Sequence, residues 1–261
     1  MSSPHSSPDM YIDTSKELHE NDVFNFACTP EKSCFTHCCY DLSLILTPYD
    51  IYRLKKRMGM DSDTFLKKYT AVHVGSESGI PVVMVNIEKE TYKCPFLDEN
   101  KGCTVYEDRP GACRTYPLAR ITYKKDDMTI GDYYYIVKES DCIGHKDPKP
   151  WTVGDWINHE GLREYNHFND FFAEVLEARK KSGIIHLHAD QINDFYMACY
   201  NIDDFRRFFL EGPNLDRMME EQAVIDKISN DDMELMQYAF NWTKRKIFGG
   251  CPSCSIAGCG K

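Results

Sequence analysis

Twelve cysteines occur in these 261 residues, and eleven of them fall into spaced clusters. The first runs Cys28-Thr-Pro-Glu-Lys-Ser-Cys34-Phe-Thr-His-Cys38-Cys39. The second is dispersed: Cys94-Pro-Phe-Leu, then Gly102-Cys103-Thr-Val-Tyr106, then Cys113-Arg-Thr-Tyr-Pro117, with Cys142 at greater distance. Together they make two sets of four. Thiols left free and exposed in such numbers are open to oxidation. Coordination to a cation removes that liability and deprotonates each sulfur at neutral pH. Thiolate-only ligation selects zinc, copper(I) or iron–sulfur clusters over hard cations. Four thiolates around one zinc ion leave a charge of about −2, as they do around a four-iron four-sulfur (4Fe-4S) cube. Lys93, Arg109 and Arg114 lie beside or near the ligands in sequence and can offset it.

The adjacent pair Cys38-Cys39 sets a geometric condition. Successive side chains point to opposite sides of an extended segment and diverge by about 100° in a helix. Unless the backbone turns sharply, the two sulfurs do not reach one ion, which leaves two neighbouring centres or one centre with a second thiol close by. His37 and His145 lie near ligands and are read as their neighbours rather than as ligands. Cys199, on an amphipathic helical stretch, is expected in the core. The tail adds Cys251-Pro-Ser-Cys254 and Cys259. Metal ligation, with three ligands and an open fourth position, is the first reading there. The alternatives are a redox dithiol or an idle tail, and a thioredoxin-type dithiol needs a strand before it and a helix after it.

These ligands need a scaffold. A chain of this length buries about 70–75% of its unfolded surface, so it does not depend on disulfides to fold. The opening MSSPHSSPDMYIDTSKELHE lacks the basic and apolar regions of a secretory signal, and no apolar run approaches the ~18 residues of a membrane span. A cytoplasmic, reducing setting is therefore expected, with no membrane partner. The net charge of −10 speaks against nucleic acid as a partner, because phosphate neutralisation needs a basic face. Only short basic runs occur, such as Arg53–Arg57, which reads as a solvated helix face.

The fold class expected is α+β: a small cysteine-rich metal-binding domain with a few strands and short helices, followed by a mostly α-helical half. Residues 1–22 read as a polar, mobile arm, 23–148 as the cysteine-cluster domain, 149–248 as the helical region, and 249–261 as the cysteine-rich tail. Thr47-Pro-Tyr-Asp50 predicts a helix start, with Thr47 as N-cap and Pro48 in the first turn, for a helix of 48–58. Asp61 predicts the cap of a second helix through Tyr69. Strands are expected over 80–87, 119–124 and 130–138. One long helical stretch is expected from Thr152 to Lys181, with Phe168, Phe171, Phe172, Val175 and Leu176 as its core stripe. Helices near 190–200, 202–211 and 220–247 follow.

Cys34-x3-Cys38-Cys39, Cys94-Pro-Phe-Leu97, Gly102-Cys103-Thr-Val-Tyr106-Glu-Asp-Arg-Pro110 and Cys113-Arg-Thr-Tyr-Pro117, in this order, resemble the YkgJ-type cysteine-cluster family. That family is described as a zinc- or iron-chelating domain, and the resemblance covers about residues 28–145. It implies metal ligands at these cysteines. Because the family includes a domain of flagellin lysine methylases associated with an iron–sulfur cluster, it also keeps iron–sulfur chemistry and a protein methylase in view. Three functions follow as expectations. The first is an iron–sulfur protein of redox or electron-transfer role, its centre 4Fe-4S, with an unidentified redox partner. The second is a structural zinc protein serving partner recognition, since all-cysteine sites are closed. The third is a methylase, for which no glycine-rich cofactor loop or nucleophile–base pair is visible; Arg114 and Tyr116 beside Cys113 are where catalysis would be sought.

Overall fold

The computed structural model describes residues 10–126 and 129–249. Its short strands lie mostly in the first half and its helices mostly in the second, an α+β chain as the sequence predicts. Two units can be distinguished, each built from two separate stretches: residues 1–45 with 85–167, and 46–84 with 168–261. All eight cysteines between Cys28 and Cys142 belong to the first.

The first unit is framed by a three-stranded antiparallel sheet. Ile130–Glu139 is its centre, flanked by Leu118–Lys124 on one side and Met10–Leu18 on the other. Leu118 stands opposite Ile136 and Lys124 opposite Ile130, so the two consecutive strands pair as an antiparallel hairpin. Leu118, Tyr134 and Val137 are buried. Residues 10–18, within the stretch read as a polar arm, form an edge strand: Met10 pairs with Glu139, and Lys138 Nζ bonds Asp13 Oδ2 at 2.7 Å. The strand is largely exposed, which is why its composition looks like that of a tail. A second ladder joins Val23–Asn25 to Pro150–Thr152. Trp151 Nε1 donates to Phe26 O at 3.1 Å beside it.

The expected single helix from 152 to 181 is broken. Val153–His159, capped by the Thr152 hydroxyl on Asp155 N–H at 3.0 Å, ends before Gly161, and Leu162–Lys181 follows. Gly161 has φ +63°. A glycine takes this left-handed conformation freely, and here it ends the first helix.

In the second unit, Pro48–Met58 and Ser62–Tyr69 form as predicted. Thr47 and Asp50 make a reciprocal capping box, with N–H···O distances of 2.7 and 3.3 Å, and Asp61 Oδ1 accepts from Thr64 N–H at 2.7 Å. Pro81–Val85 pairs with Thr70–Val74 and alternates buried and half-buried residues, as a strand covered on one face should. Helices Ala189–Tyr200, Ile202–Arg206 and Asp232–Lys246 close a core of aromatic rings. Tyr49 stacks on Phe168 at 4.7 Å and 3° between planes. Phe195, Phe205, Phe209 and Phe240 are inaccessible or nearly so. Of the predicted stripe, Phe168, Phe172 and Val175 are buried, but Leu176 is 40% exposed.

The basic run Arg53–Arg57 departs from the solvated face expected of it. Lys56 and Arg57 are exposed, whereas Lys55 is 5% exposed and ion-pairs Asp203 at 2.7 Å. Ser62 N–H also donates to Asp203 at 2.7 Å. Burial pushes the Asp203 carboxyl up, but the bonds from Lys55 and Ser62 outweigh it and hold its pKa below the usual value. Its stabilising contribution is thus complete above the ordinary carboxylate range and fades as pH falls through the depressed value. Asp203→Asn would strand the Lys55 ammonium, and a loss of about 3 kcal/mol is expected in urea unfolding at pH 7. The difference from wild type should shrink on acidification.

Among the described residues no helix is long and apolar enough to cross a membrane.

Candidate metal centre

Four stretches of the first unit converge on the cysteines. Residues 28–40 wind through successive tight turns: Lys32 N–H bonds Thr29 O, Phe35 N–H bonds Lys32 O, His37 N–H bonds Cys34 O and Tyr40 N–H bonds His37 O, all within 2.9–3.1 Å. Thr36 adopts φ +66°, so the chain turns sharply before the 3₁₀ turn His37–Cys39. After it the backbone extends and meets a second stretch. Cys94 N–H donates to Cys39 O and Asp41 N–H to Tyr92 O, each at 2.8 Å, around a Tyr40–Lys93 antiparallel bridge. Cys39 and Cys94 therefore stand directly opposite and share a face.

From Cys94 the chain turns back, with Leu97 N–H on Cys94 O at 3.0 Å. Leu97 then pairs with Cys103. Asp98 Oδ1 ties the hairpin tip by accepting from the N–H groups of Asn100 and Lys101, both at 2.9 Å. The Phe35 ring lies 3.4 Å from where a side chain on Gly102 would begin, so the first turn region packs onto this hairpin.

The short helix Gly111–Thr115 carries Cys113 and is fixed by its neighbour, Arg114. That guanidinium is 7% exposed. It donates to Arg109 O at 2.9 Å, to Glu160 O at 2.5 Å and to Glu107 O, and it lies over the Tyr165 ring at 4.9 Å. Arg109 bonds the Glu160 carboxylate and Tyr106 O, and sits 3.8 Å above the Tyr106 ring centre. Glu160 thus anchors both cations. Nothing in its spacing from them, 46 to 51 residues, could have marked it in the sequence.

The fourth stretch follows the central strand. Ala27 N–H bonds Gly144 O at 3.2 Å, and Lys32 Nζ pairs with Asp147 at 2.8 Å. These contacts lay Cys28 beside the Cys142 turn. Gly144 is required by close approach: a Cβ there would stand 2.6 Å from Phe26 Cε2 and 2.9 Å from Ala27 O. We expect Gly144→Ala to cost about 1–3 kcal/mol, read by thermal unfolding, and to spread the Cys28 and Cys142 segments apart. Phe26 fills the space beneath, its ring 5.6 Å from that of Tyr116 and 5.3 Å from that of His145. Tyr116 hydroxyl stands 3.2 Å from His145 Nε2 and donates to the Cys142 sulfur. The Tyr116–Pro117 peptide bond is cis.

Every described cysteine is a free thiol. Three of the sulfurs accept a backbone N–H from two residues on: Cys94 from Phe96, Cys103 from Val105 and Cys142 from Gly144. Such bonds favour the thiolate. Against them, burial pushes the Cys94 thiol up to about 11, with Cys103 and Cys38 adding to the rise. Cys28 is raised to about 11 by burial and then by Cys38, Cys142 and Cys34. Cys103 and Cys142 are raised as well, again chiefly by burial. Cys39 S–H donates to the Cys38 sulfur, which lowers the Cys38 thiol and raises that of Cys39; Cys94 and Cys113 raise Cys39 further. The sulfurs thus feel one another's charge. As the side chains stand, no three histidine, cysteine or carboxylate groups among the described residues form a set that could already hold an ion. Shared ligation would require the side chains to turn inward.

Cys28, Cys38 and Cys113 are exposed, Cys34, Cys39, Cys103 and Cys142 are half-buried, and Cys94 is buried. A cation could therefore reach the cluster without opening the fold. Cys199 lies elsewhere, buried in the second unit with its sulfur 3.8 Å from Thr243 Oγ1. Burial pushes its thiol up to about 12. Cys251, Cys254 and Cys259 fall outside the described residues.

A donor set of eight uncrosslinked thiols, with N–H groups aimed at three of them and two guanidiniums alongside, fits a thiophilic cation. No curated protein and no solved structure matches the chain. A family model does: residues 27–142 match CxxCxxCC, described as "Putative zinc- or iron-chelating domain". Residues 27–142 are thus similar to a cysteine-cluster domain of zinc- or iron-chelating description.

Proposed function

We propose that the first unit holds one or two iron–sulfur centres, 4Fe-4S in type, on thiolates drawn from Cys28, Cys34, Cys38, Cys39, Cys94, Cys103, Cys113 and Cys142, and that the protein serves a redox or electron-transfer role in a reducing compartment such as the cytoplasm. The observation that carries this reading is the gathering of eight free thiols from four separate stretches into one unit. Eight is twice the four thiolates that one cube, or one zinc ion, takes.

When bound, such a centre would supply one-electron chemistry at a potential set by its charge and surroundings. The chain's own residues supply the rest. Backbone N–H groups of Phe96, Val105 and Gly144 stabilise thiolate sulfur. Arg109 and Arg114 offset the negative charge at Cys103. Phe26, Tyr116 and Trp156 pack edge-on in a group on the Cys142 side and limit water there.

Anaerobic purification followed by iron, zinc and acid-labile sulfide analysis tests the proposal. A brown protein with iron and sulfide in comparable amounts supports it. A colourless protein with stoichiometric zinc would replace it with a structural zinc site, and a metal-free protein would reject both.

A further inference from the structure

The backbone does not distribute the eight thiols as the sequence does. In sequence they fall as Cys28, Cys34, Cys38 and Cys39 against Cys94, Cys103, Cys113 and Cys142. In the fold, the Cys39–Cys94 bridge draws Cys39 out of the first set, and the Ala27–Gly144 bond together with the Lys32–Asp147 pair draws Cys142 into it. Resting on the metal-binding reading above, we infer that the unit holds two adjacent four-thiolate centres, one on Cys28, Cys34, Cys38 and Cys142 and the other on Cys39, Cys94, Cys103 and Cys113.

The second set is assembled by local backbone pairing. Cys39 faces Cys94 across the bridge, Cys94 leads by one turn into the strand that pairs with Cys103, and the Cys113 helix is held to the 107–109 backbone by Arg114. The first set is assembled by the bonds that lay residues 26–32 along residues 144–149. The place of Cys38 in the first set follows from its neighbour. In a 3₁₀ turn successive side chains diverge by about 120°, so with Cys39 committed to the Cys94 face, Cys38 points away from it. The His37–Cys39 turn then marks where the two centres meet.

Two measurements on the full chain test the division. Metal content of anaerobically prepared Cys28→Ser, Cys142→Ser, Cys94→Ser and Cys113→Ser should fall to about half of wild type in each case. Pairing Cys28→Ser with Cys142→Ser should cause no further loss, whereas pairing Cys142→Ser with Cys94→Ser should abolish binding. Independently of how the variants fold, metal-free wild-type protein can be loaded with substoichiometric cobalt(II), alkylated, and mapped by mass spectrometry. Protection should appear in blocks of four, and the blocks should be those named. Loss of all metal in every single variant, or protection of all eight cysteines together, would show one shared centre. Blocks that keep Cys39 with Cys28 and Cys34 would show that the sequence order governs ligation instead. Either result overturns the division while leaving the metal-binding reading intact. Absence of metal in wild-type protein with no cobalt protection would overturn both.

Discussion

Replacing Cys94 with serine is expected to remove about half or more of the bound metal and to lower stability by about 3 kcal/mol or more. Cys94 is the most buried of the clustered cysteines, it faces Cys39 across a backbone bridge, and its sulfur receives the Phe96 N–H. Serine keeps the size of the side chain and loses the soft ligand, so the two losses should appear together. Cys199→Ser is the matched control. That thiol is also buried but lies in the core of the second unit beside Thr243. Metal content there should stay at the wild-type level, with a stability cost of about 1–2 kcal/mol for a hydroxyl in the core. Metal analysis alongside urea unfolding of both variants separates a ligand from a core thiol, and loss of metal in Cys199→Ser would reverse its assignment.

Elements written in contiguous sequence were legible before the fold was known. The Thr47-Pro-Tyr-Asp50 cap, the hairpin at 118–139 and the cysteine spacings all depend on residues a few positions apart. Features that depend on distant partners were not. Met10–Leu18 carries the polar side chains of an edge strand and becomes a strand only by pairing with Ile130–Glu139. Lys55 looks like any lysine of a basic run until Asp203 is brought to it. Gly161 gave no sign that it would split a helix, because an isolated glycine in a periodic stretch is common. The candidate site shows the same limit. Its thiols are legible by type and spacing, but the opposition of Cys39 to Cys94 and the approach of Ala27 to Gly144 follow from backbone bonds that no local pattern encodes.

Arg114 carries the second large effect. Its guanidinium is buried and serves three carbonyl oxygens, those of Glu107, Arg109 and Glu160, while stacking on Tyr165. Arg114→Met retains much of the bulk but leaves those carbonyls without their donor, and each orphaned group costs about 1–3 kcal/mol. Because the loop carrying them can relax in part, a total of about 3–5 kcal/mol is expected in equilibrium unfolding. The substitution also removes a positive charge that lowers the Cys103 thiol, so metal retention against a chelator should weaken as well. Arg114→Lys separates the two effects. Lysine preserves the charge yet cannot reproduce the planar fork. It should recover much of the metal retention and little of the stability. Equal loss of both properties in the two variants would assign Arg114 a purely structural part.

X-ray absorption at the metal edge of anaerobically purified protein reads the ligand atoms directly. A first shell composed of sulfur alone is the predicted result, at about 2.3 Å if the metal is zinc and with additional iron–iron scattering if it is a cluster. A shell of oxygen and nitrogen would contradict ligation by these cysteines, whatever metal the protein contained.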